Sequence, residues 1–242
     1  MSQFLHVSLR SRDRDRTSEW YCRHLGFTEA GRGGTAIGTQ TARLVTPTTN
    51  TYIEVSDRVR LGHDFEIPDE LILLQFTVRD LAAAYERFKN DGVTIVEGGP
   101  DAEYFFIQDA DGYEIEITRG DRDYAWTSFG IRVSDLDRSV RFYTENLGFR
   151  EQRRWTTPRG TQIAILELPG NPTTLALRFM PFLTTPVSVP EDLMHMAFPM
   201  EDKARFRQEM EARGVRVDDD PSPRLLWVYD PDGYELEMVE RR

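Results

Sequence analysis

Apolar and polar residues alternate in short stretches near both ends of the chain, which predicts β-strands there. Two such stretches lie early, at residues 6–10 (HVSLR) and 52–55 (YIEV), and two lie late, at residues 195–200 (HMAFPM) and 235–238 (ELEM). Side chains at i and i+2 share one face of a strand. We expect the apolar faces to pack against helices, so that the opposite faces carry the polar side chains, which include His6, Glu54, His195 and Glu237.

Four longer segments have the pattern of amphipathic helices with defined ends. Each has Asp at or next to its start and Gly at its end. Asp caps the free amides of the first turn, and Gly suits the left-handed conformation that ends a helix. The predicted helices are residues 13–26, 80–92, 135–148 and 201–214. The Gly-rich stretch GRGGT, residues 31–35, predicts a turn after the first helix.

The chain repeats itself with a period of 122 residues, which is the spacing from Tyr21 to Tyr143. The two copies keep their scaffold residues, but Ser128 stands where the first copy has His6. The clearest matches join HVSLRSRDRDRTSEWYCRHLGF to SFGIRVSDLDRSVRFYTENLGF and IQDADGYEIEITRG to VYDPDGYELEMVER, which are residues 6–27 with 128–149 and 107–120 with 228–241. Such a fixed period predicts duplicated structural units.

A weaker half-period of 67 residues lies inside each copy, from His6 to Leu73 and from Ser128 to His195. Each of these strands is followed by a predicted helix and then by short alternating stretches, such as residues 35–46 and 50–57. The pattern therefore predicts four βαβββ units. We place them at residues 1–66 and 67–120, which form a first domain (1–120), and at 125–186 and 187–242, which form a second (125–242).

The amino-acid composition indicates which classes of binding partner are expected for this protein. The 242 residues carry a net charge of −11, and phosphate-rich partners need clustered Lys and Arg, so nucleic acid and membranes are not expected to bind. A single Cys excludes an internal disulfide, and no apolar run approaches the length of a membrane span. These features predict a cytoplasmic protein, a monomer or homodimer, that acts on a small molecule.

The βαβββ repeat, the FYTENLGF helix end (142–149) and the DPDGYELE strand (230–237) resemble the vicinal-oxygen-chelate superfamily over essentially the whole chain. That superfamily includes glyoxalase I, extradiol ring-cleaving dioxygenases and bleomycin-resistance proteins. The resemblance implies an α+β fold, in which four βαβββ units form two cupped mixed β-sheets with the helices outside. It implies function only loosely, because a fold does not determine the chemistry of its site.

In the superfamily a divalent metal lies in the cup, and each unit offers one ligand from its first strand and one from its last. Carried onto this sequence, the ligand positions of units one and four are His6, Glu54, His195 and Glu237. Those of units two and three are Leu73, Glu116, Ser128 and Ala176. The first set has four donors, whereas Leu73 and Ala176 cannot bind a metal.

The distribution of these residues favours one way of combining the units. If neighbouring units paired, each cup would hold an incomplete ligand set. If the outer units pair with each other, one cup holds all of His6, Glu54, His195 and Glu237, and the inner cup loses its metal. We therefore expect outer-with-outer pairing, either within one chain or between two chains.

Two imidazoles and two carboxylates suit Ni²⁺, Co²⁺, Zn²⁺, Mn²⁺ or Fe²⁺. The order His/Glu/His/Glu is similar to the non-zinc bacterial glyoxalase I pattern, which implies isomerisation of a hemithioacetal through an enediolate, with the metal as Lewis acid. The resemblance makes Glu237 the base that moves the proton, and Glu54 a ligand and second candidate for that base.

Two alternatives stay open. An extradiol dioxygenase would use His6, His195 and Glu237, but Glu54 would be an unwelcome fourth ligand, and Trp227 stands where that family's signature has Tyr. A metal-free protein could instead bind an antibiotic or metabolite in the cup. No residues map onto the glutathione-binding set of glyoxalase I. Arg10, on the same strand face as His6, is a candidate contact for an anionic substrate, and His24 and His63 are expected to be solvated.

Overall fold

A computed structural model describes residues 3–34 and 38–241 of the chain. In this part of the chain two mixed eight-stranded sheets are each covered by two helices on the outside. One sheet, here the outer sheet, joins units one and four, and the other, the inner sheet, joins units two and three. The predicted α+β architecture and the outer-with-outer pairing are thus both confirmed.

The outer sheet has the strand order β14-β15-β16-β13-β1-β4-β3-β2. Its elements come from the two ends of the chain. Unit one supplies β1 (His6–Ser11), α1 (Arg14–Leu25), β2 (Thr28–Gly34), β3 (Thr39–Val45) and β4 (Tyr52–Arg58), followed by a short 3₁₀ turn (Val59–Leu61). Unit four supplies β13 (Met194–Met200), α4 (Lys203–Ala212), β14 (Val217–Asp219), β15 (Leu225–Tyr229) and β16 (Glu235–Glu240).

The inner sheet has the order β10-β11-β12-β9-β5-β8-β7-β6 and repeats the same arrangement. Unit two supplies β5 (Ile72–Val78), α2 (Leu81–Asn90), β6 (Ile95–Gly98), β7 (Tyr104–Gln108) and β8 (Glu114–Arg119). Unit three supplies β9 (Ala125–Val133), α3 (Leu136–Leu147), β10 (Arg150–Thr156), β11 (Gln162–Glu167) and β12 (Thr174–Phe179).

The four helices begin where the Asp residues predict. The carboxylate of each capping Asp accepts a hydrogen bond from a backbone N–H of the first turn; the four caps are Asp13, Asp80, Asp135 and Asp202. Gly26 and Gly148 follow α1 and α3 at positive φ (69° and 77°), where a residue with a Cβ would be strained. These local signals fix the helix ends independently of the sheet packing.

Alternation along the strands separates a core face from a polar face. Ile53 and Val55 on β4, and Leu236 and Met238 on β16, are fully buried, with no exposed surface. Burying side chains of this size contributes about 1.5–3 kcal/mol each. The polar residues between them therefore face the concave side of the sheet, as predicted.

The DxDGY turns before β8 and β16 (residues 109–113 and 230–234) link consecutive units through buried hydrogen bonds. Asp109 accepts backbone N–H bonds from Asp111 and Tyr113 through one oxygen and the hydroxyl of Tyr21 through the other, at 2.9 Å. Asp230 and Tyr143 repeat this pair at 3.0 Å in the second copy. Both carboxyls are buried, which raises the pKa of each to about 7. The tyrosine is retained in both copies because each scaffold needs this bond.

The segment predicted as a turn at residues 31–35 is instead the end of a strand. Residues 31–34 belong to β2, and Thr35 lies outside the described residues. β2 is an edge strand with a register shift between Glu29 and Gly31, and its residues are almost all exposed. An exposed edge strand needs no apolar alternation, so the pattern that identifies the other strands is absent here. The strand predicted at residues 35–46 is described from Thr39, and residues 35–37 lie outside the described part.

Helices long and apolar enough to cross a membrane are absent from the described part of the chain.

Replacing Tyr21 or Tyr143 by Phe removes the hydroxyl from a buried carboxyl group and leaves that oxygen without its partner. We expect each substitution to lower the free energy of unfolding by about 1–3 kcal/mol, measured by urea denaturation. Tyr104→Phe is the matched control, because this side chain is 37% exposed. Equal stability of Tyr21→Phe and the wild type would contradict the structural role given to the pair.

Candidate metal centre

The two histidines meet where the first and last units join. Strand β1 runs antiparallel to β13, with His6 opposite Ala197 and Ser8 opposite His195. The imidazoles therefore lie diagonally across the strand pair on the same face. Their Nε2 atoms are 3.3 Å apart, and both side chains are buried.

Two glutamates approach from the flanking strands. Glu54 lies on β4, which is parallel to β1 and places it beside Ser8, and Glu237 lies on β16 beside Ala197. The hydroxyl of Ser8 donates to Glu54 Oε1 at 3.2 Å. Glu237 Oε2 lies 3.5 Å from His6 Nε2 and 3.8 Å from His195 Nε2. All four side chains predicted as metal ligands are thus brought together.

The four donors are not equivalent. One ligand atom from each of His6, Glu54 and His195 lies within 4.8 Å of the other two, a spacing that could hold a metal. Glu237 Oε2 lies against both imidazoles, within the same range. The two carboxylates differ in their contacts, because Glu54 accepts a hydrogen bond from Ser8 and Glu237 does not.

Burial makes both imidazoles neutral. Desolvation, helped by Arg43, lowers the pKa of His6 to about 3, and desolvation lowers the pKa of His195 well below its usual value. The same burial raises the pKa of Glu54, and burial together with the neighbouring Glu54 raises that of Glu237 to about 7. The site therefore offers two lone pairs and two carboxyl groups that form no ion pair with a Lys or Arg of the described chain, and the charge of Arg58 only partly opposes the rise in their pKa values.

Aromatic rings hold the imidazoles in place. The Tyr52 ring lies 4.7 Å from that of His6, and the Trp227 ring meets His195 edge-on at 5.2 Å. The indole N–H of Trp227 is itself held by Asp220 at 2.9 Å. His6 Nδ1 is buried and has no hydrogen-bond partner among the described residues. On the Nδ1 side, ring packing rather than a hydrogen bond therefore orients His6, whose Nε2 contacts His195.

The donor set fits a divalent metal. Metal–nitrogen and metal–oxygen bonds of about 2.0–2.2 Å place neighbouring ligand atoms about 3–3.5 Å apart. The separations of 3.3, 3.5 and 3.8 Å at this site are close to that range. Arg58, the cation that acts on both carboxyl groups, is itself paired with Asp192 at 3.5 Å, and Arg43 is stacked over the Tyr52 ring at 4.4 Å. A metal would neutralise the two carboxylates.

A cavity of about 560 Å³ opens directly above the donors. His195, Glu54 and Glu237 contribute to its lining, and Trp227 and Leu225 form part of its wall. Arg10 does not reach it: this side chain is buried and donates to the carbonyl oxygens of residues 61 and 62. The expected contact between Arg10 and an anionic substrate is therefore not supported.

The sequence model of the glyoxalase/bleomycin resistance protein/dioxygenase superfamily matches residues 3–117 and 126–238. The chain belongs to this superfamily. The assignment agrees with the resemblance inferred from the repeat and its motifs, and the two matched segments correspond to the two copies of the sequence.

The relatives that the chain matches within the superfamily are named lactoylglutathione lyases. Over 173 residues the chain is 27% identical to lactoylglutathione lyase GLX1 of Arabidopsis thaliana, covering 64% of this chain and 58% of the relative. It is 27% identical over 128 residues to a probable lactoylglutathione lyase of Synechocystis, covering 46% of this chain and 90% of that one. The chain thus spans less than two thirds of the length of the Arabidopsis relative.

Solved structures show the same fold over the whole chain. Glyoxalase I from Zea mays superposes with a TM-score of 0.81 at 23% identity, covering 99% of this chain and 92% of the maize protein. A putative dioxygenase from Bacillus subtilis reaches 0.72 at 12% identity, covering 99% and 85%. At these identities the likeness establishes the superfamily fold and leaves the chemistry to the site.

In the inner sheet, other side chains stand at most of the positions that carry the metal-ligand candidates in the outer sheet. Gln75 takes the place of Ala197 in the repeat, lies opposite Ser128, and donates its amide to Glu116. Leu73 stands in the position of His195 and is buried against Gly130, where even a Cβ would lie only 3.3 Å from Leu73. The inner cup therefore satisfies its carboxylate with an amide and fills the remaining space with its own side chains.

Several features of the site are not visible in the sequence pattern. Trp227 reads as a core strand residue, and its contact with His195 depends on the register of β15 against β16. His63 is exposed as expected, but His24 is buried at 5% exposure between the Trp20 and Phe88 rings, because the end of α1 packs against α2. The prediction that His24 is solvated was wrong.

If the four donors hold a metal, removing either imidazole should remove the metal. We expect about one divalent ion per chain in the wild type after dialysis, measured by elemental analysis, and little in His6→Ala or His195→Ala, because each loses one of the two imidazole donors. His63→Ala is the matched control, since its imidazole is exposed at the surface. Retention of metal by His6→Ala would show that β1 supplies no ligand.

Proposed function

We propose that this protein is a divalent-metal-dependent lyase or isomerase of the glyoxalase I type. In this proposal it acts on a small molecule with vicinal oxygens, of which a hemithioacetal is the model substrate. The observation that carries the proposal is the convergence of two neutral imidazoles and two carboxyl groups at the floor of an open cavity. The names of the relatives, which are lactoylglutathione lyases, agree with it.

His6, His195 and Glu54 would hold the metal. Their nitrogen and oxygen atoms suit Ni²⁺, Co²⁺, Zn²⁺, Mn²⁺ or Fe²⁺, and the donor set alone does not choose among them. When bound, the metal would act as a Lewis acid that draws electron density from the substrate oxygens. Ser8 fixes Glu54 by its hydrogen bond, so that this carboxylate stays in place while the substrate changes.

Glu237 is the candidate proton carrier. Unlike Glu54, its carboxylate accepts no hydrogen bond from Ser8 or another hydroxyl of the described chain, so it can move without breaking one. A base in this position would take the proton from the carbon that bears sulfur and return it to the neighbouring carbon, which converts a hemithioacetal to a hydroxy thioester. Positioned carboxylates of this kind contribute roughly 10²–10⁴-fold to a rate.

A second function is favoured by one feature of the same site. The two imidazoles with one carboxylate, either Glu237 as the resemblance implies or Glu54, have the two-histidine, one-carboxylate composition of non-haem Fe²⁺ oxygenases. An extradiol dioxygenase would leave the remaining positions to a catechol and O₂. The other carboxylate, as a fourth donor close to both imidazoles, is harder to reconcile with that chemistry, so we place this function second.

Glu237→Gln separates proton transfer from metal binding. We expect this variant to keep most of its metal and to lose roughly 10²–10⁴-fold in kcat on the hemithioacetal of methylglyoxal, followed by the absorbance of the thioester product. Glu54→Gln should instead lose metal, because it removes the proposed carboxylate ligand that Ser8 holds in place.

The matched control is Glu116→Gln, which changes the equivalent position of the inner sheet and should leave both metal content and turnover unchanged. Wild-type turnover by Glu237→Gln would contradict its role as the base. Oxygen uptake that depends on a catechol, with no turnover of the hemithioacetal, would favour the dioxygenase.

A further inference from the structure

Among the charged groups that line the cavity above the candidate metal centre, most are acidic. Six carboxyl groups face it, against two guanidinium groups, those of Arg58 and Arg60. The carboxyl groups belong to Glu54, Glu191, Asp192, Asp220, Glu235 and Glu237. Such a lining is unusual for a site that would take an anionic substrate, because like charges raise the cost of binding.

Both arginines are paired with one carboxylate. Arg58 and Arg60 form ion pairs with Asp192, at 3.5 and 3.1 Å. Asp192 has a positive φ of 56°, in the left-handed region that residues other than glycine adopt rarely. Asp192 therefore offsets one of the two guanidinium charges, and the three residues together add a single positive charge to a wall that holds five further carboxyl groups.

Glu235 forms no ion pair with an arginine. It lies on β16, two residues before Glu237 and on the same face, opposite Tyr229 of β15. It is half-buried and forms no hydrogen bond or ion pair with another residue of the described chain. Asp220, on the same side of the cavity, accepts bonds only from uncharged donors, the indole of Trp227 and the amide of Ser222.

The repeat shows that the same fold can neutralise its carboxylates internally. Glu70 is the inner-sheet counterpart of Asp192, and its carboxylate pairs with Arg178 at 3.1 Å. Gln75 donates to Glu116, the counterpart of Glu237. A bound metal would take that role for Glu54 and Glu237 in the outer cavity. Asp220 and Glu235 form no ion pair with a Lys or Arg of the described chain, although Arg58 and Arg216 act on Glu235 without pairing with it.

We propose that the substrate carries an ammonium group, which binds against Glu235 and Asp220 beside the Trp227 ring. This inference rests on the proposed function and specifies its substrate class: a hemithioacetal whose thiol part is cationic rather than rich in carboxylates. Carboxylates attract the ammonium group, and the indole face adds a cation–π contribution. The net charge of −11 would also steer cations toward the protein.

The test compares three hemithioacetals of methylglyoxal that differ in charge, formed with dimethylaminoethanethiol, mercaptoethanol and mercaptopropionate. The tertiary amine keeps its charge and cannot close onto the aldehyde. With metal-loaded protein at fixed pH and low salt, we expect kcat/KM to be highest for the cationic thiol, about fivefold or more above the neutral one, and lowest for the anionic thiol. Added salt should reduce these ratios.

Glu235→Gln should remove most of the preference for the cationic substrate while keeping its metal. Glu114→Gln is the matched control, because Glu114 holds the equivalent position on the inner sheet. Equal kcat/KM for the three substrates, or a preference for the anionic one, overturns the inference while the proposed function stands.

If none of the hemithioacetals is turned over, the proposed function fails, and binding still tests the inference. The S-methyl thioethers of the same three thiols are then titrated against the fluorescence of the metal-loaded protein, since Trp227 lines the cavity. Tighter binding of the cationic thioether, lost in Glu235→Gln and kept in Glu114→Gln, supports a cation site. Equal binding of the three thioethers overturns it.

Discussion

The site depends on one interaction, the antiparallel pairing of β1 with β13. These strands come from opposite ends of the chain, and their register alone places His6 and His195 on one face with their Nε2 atoms 3.3 Å apart. Parallel partners β4 and β16 then bring Glu54 and Glu237 from either side. A shift of one residue in the central pair would turn one imidazole into the core, so the register is as important as the residues.

The two sheets share one scaffold and differ in what fills the cup. Both keep the buried Tyr–Asp pair beneath the DGY turn, because each unit needs it to fold. The outer sheet places the small Ala197 beside Glu237, which leaves the carboxylate open to a metal. The inner sheet places Gln75 at that position and donates its amide to Glu116 instead. Gln75, together with the loss of donors at Leu73 and Ala176, thus gives the inner cup an internal partner for Glu116, whereas the outer cup leaves Glu237 against two imidazoles.

The sequence predicted those parts of the structure that depend on local signals or on the repeat. Asp and Gly caps located all four helices, and the loss of donors from one set of ligand positions pointed to the pairing of the outer units. What it could not predict depends on contacts between distant segments: the exposed edge strand β2, which lacks apolar alternation, the burial of His24 against α2, and the packing of Trp227 on His195. The acidic lining around Glu235 likewise emerges only once β15, β16 and the segment before β13 are brought together.

The central claim, that one chain supplies both imidazoles to one metal centre, is tested most directly by co-expressing the His6→Ala and His195→Ala variants and measuring the metal content of the purified mixture. Pairing of β1 with β13 within a chain predicts that the mixture holds no more metal than either variant alone, because no chain keeps both histidines. Exchange of units between two chains would restore metal to about one quarter of the sites by random assembly, and that result would contradict the account.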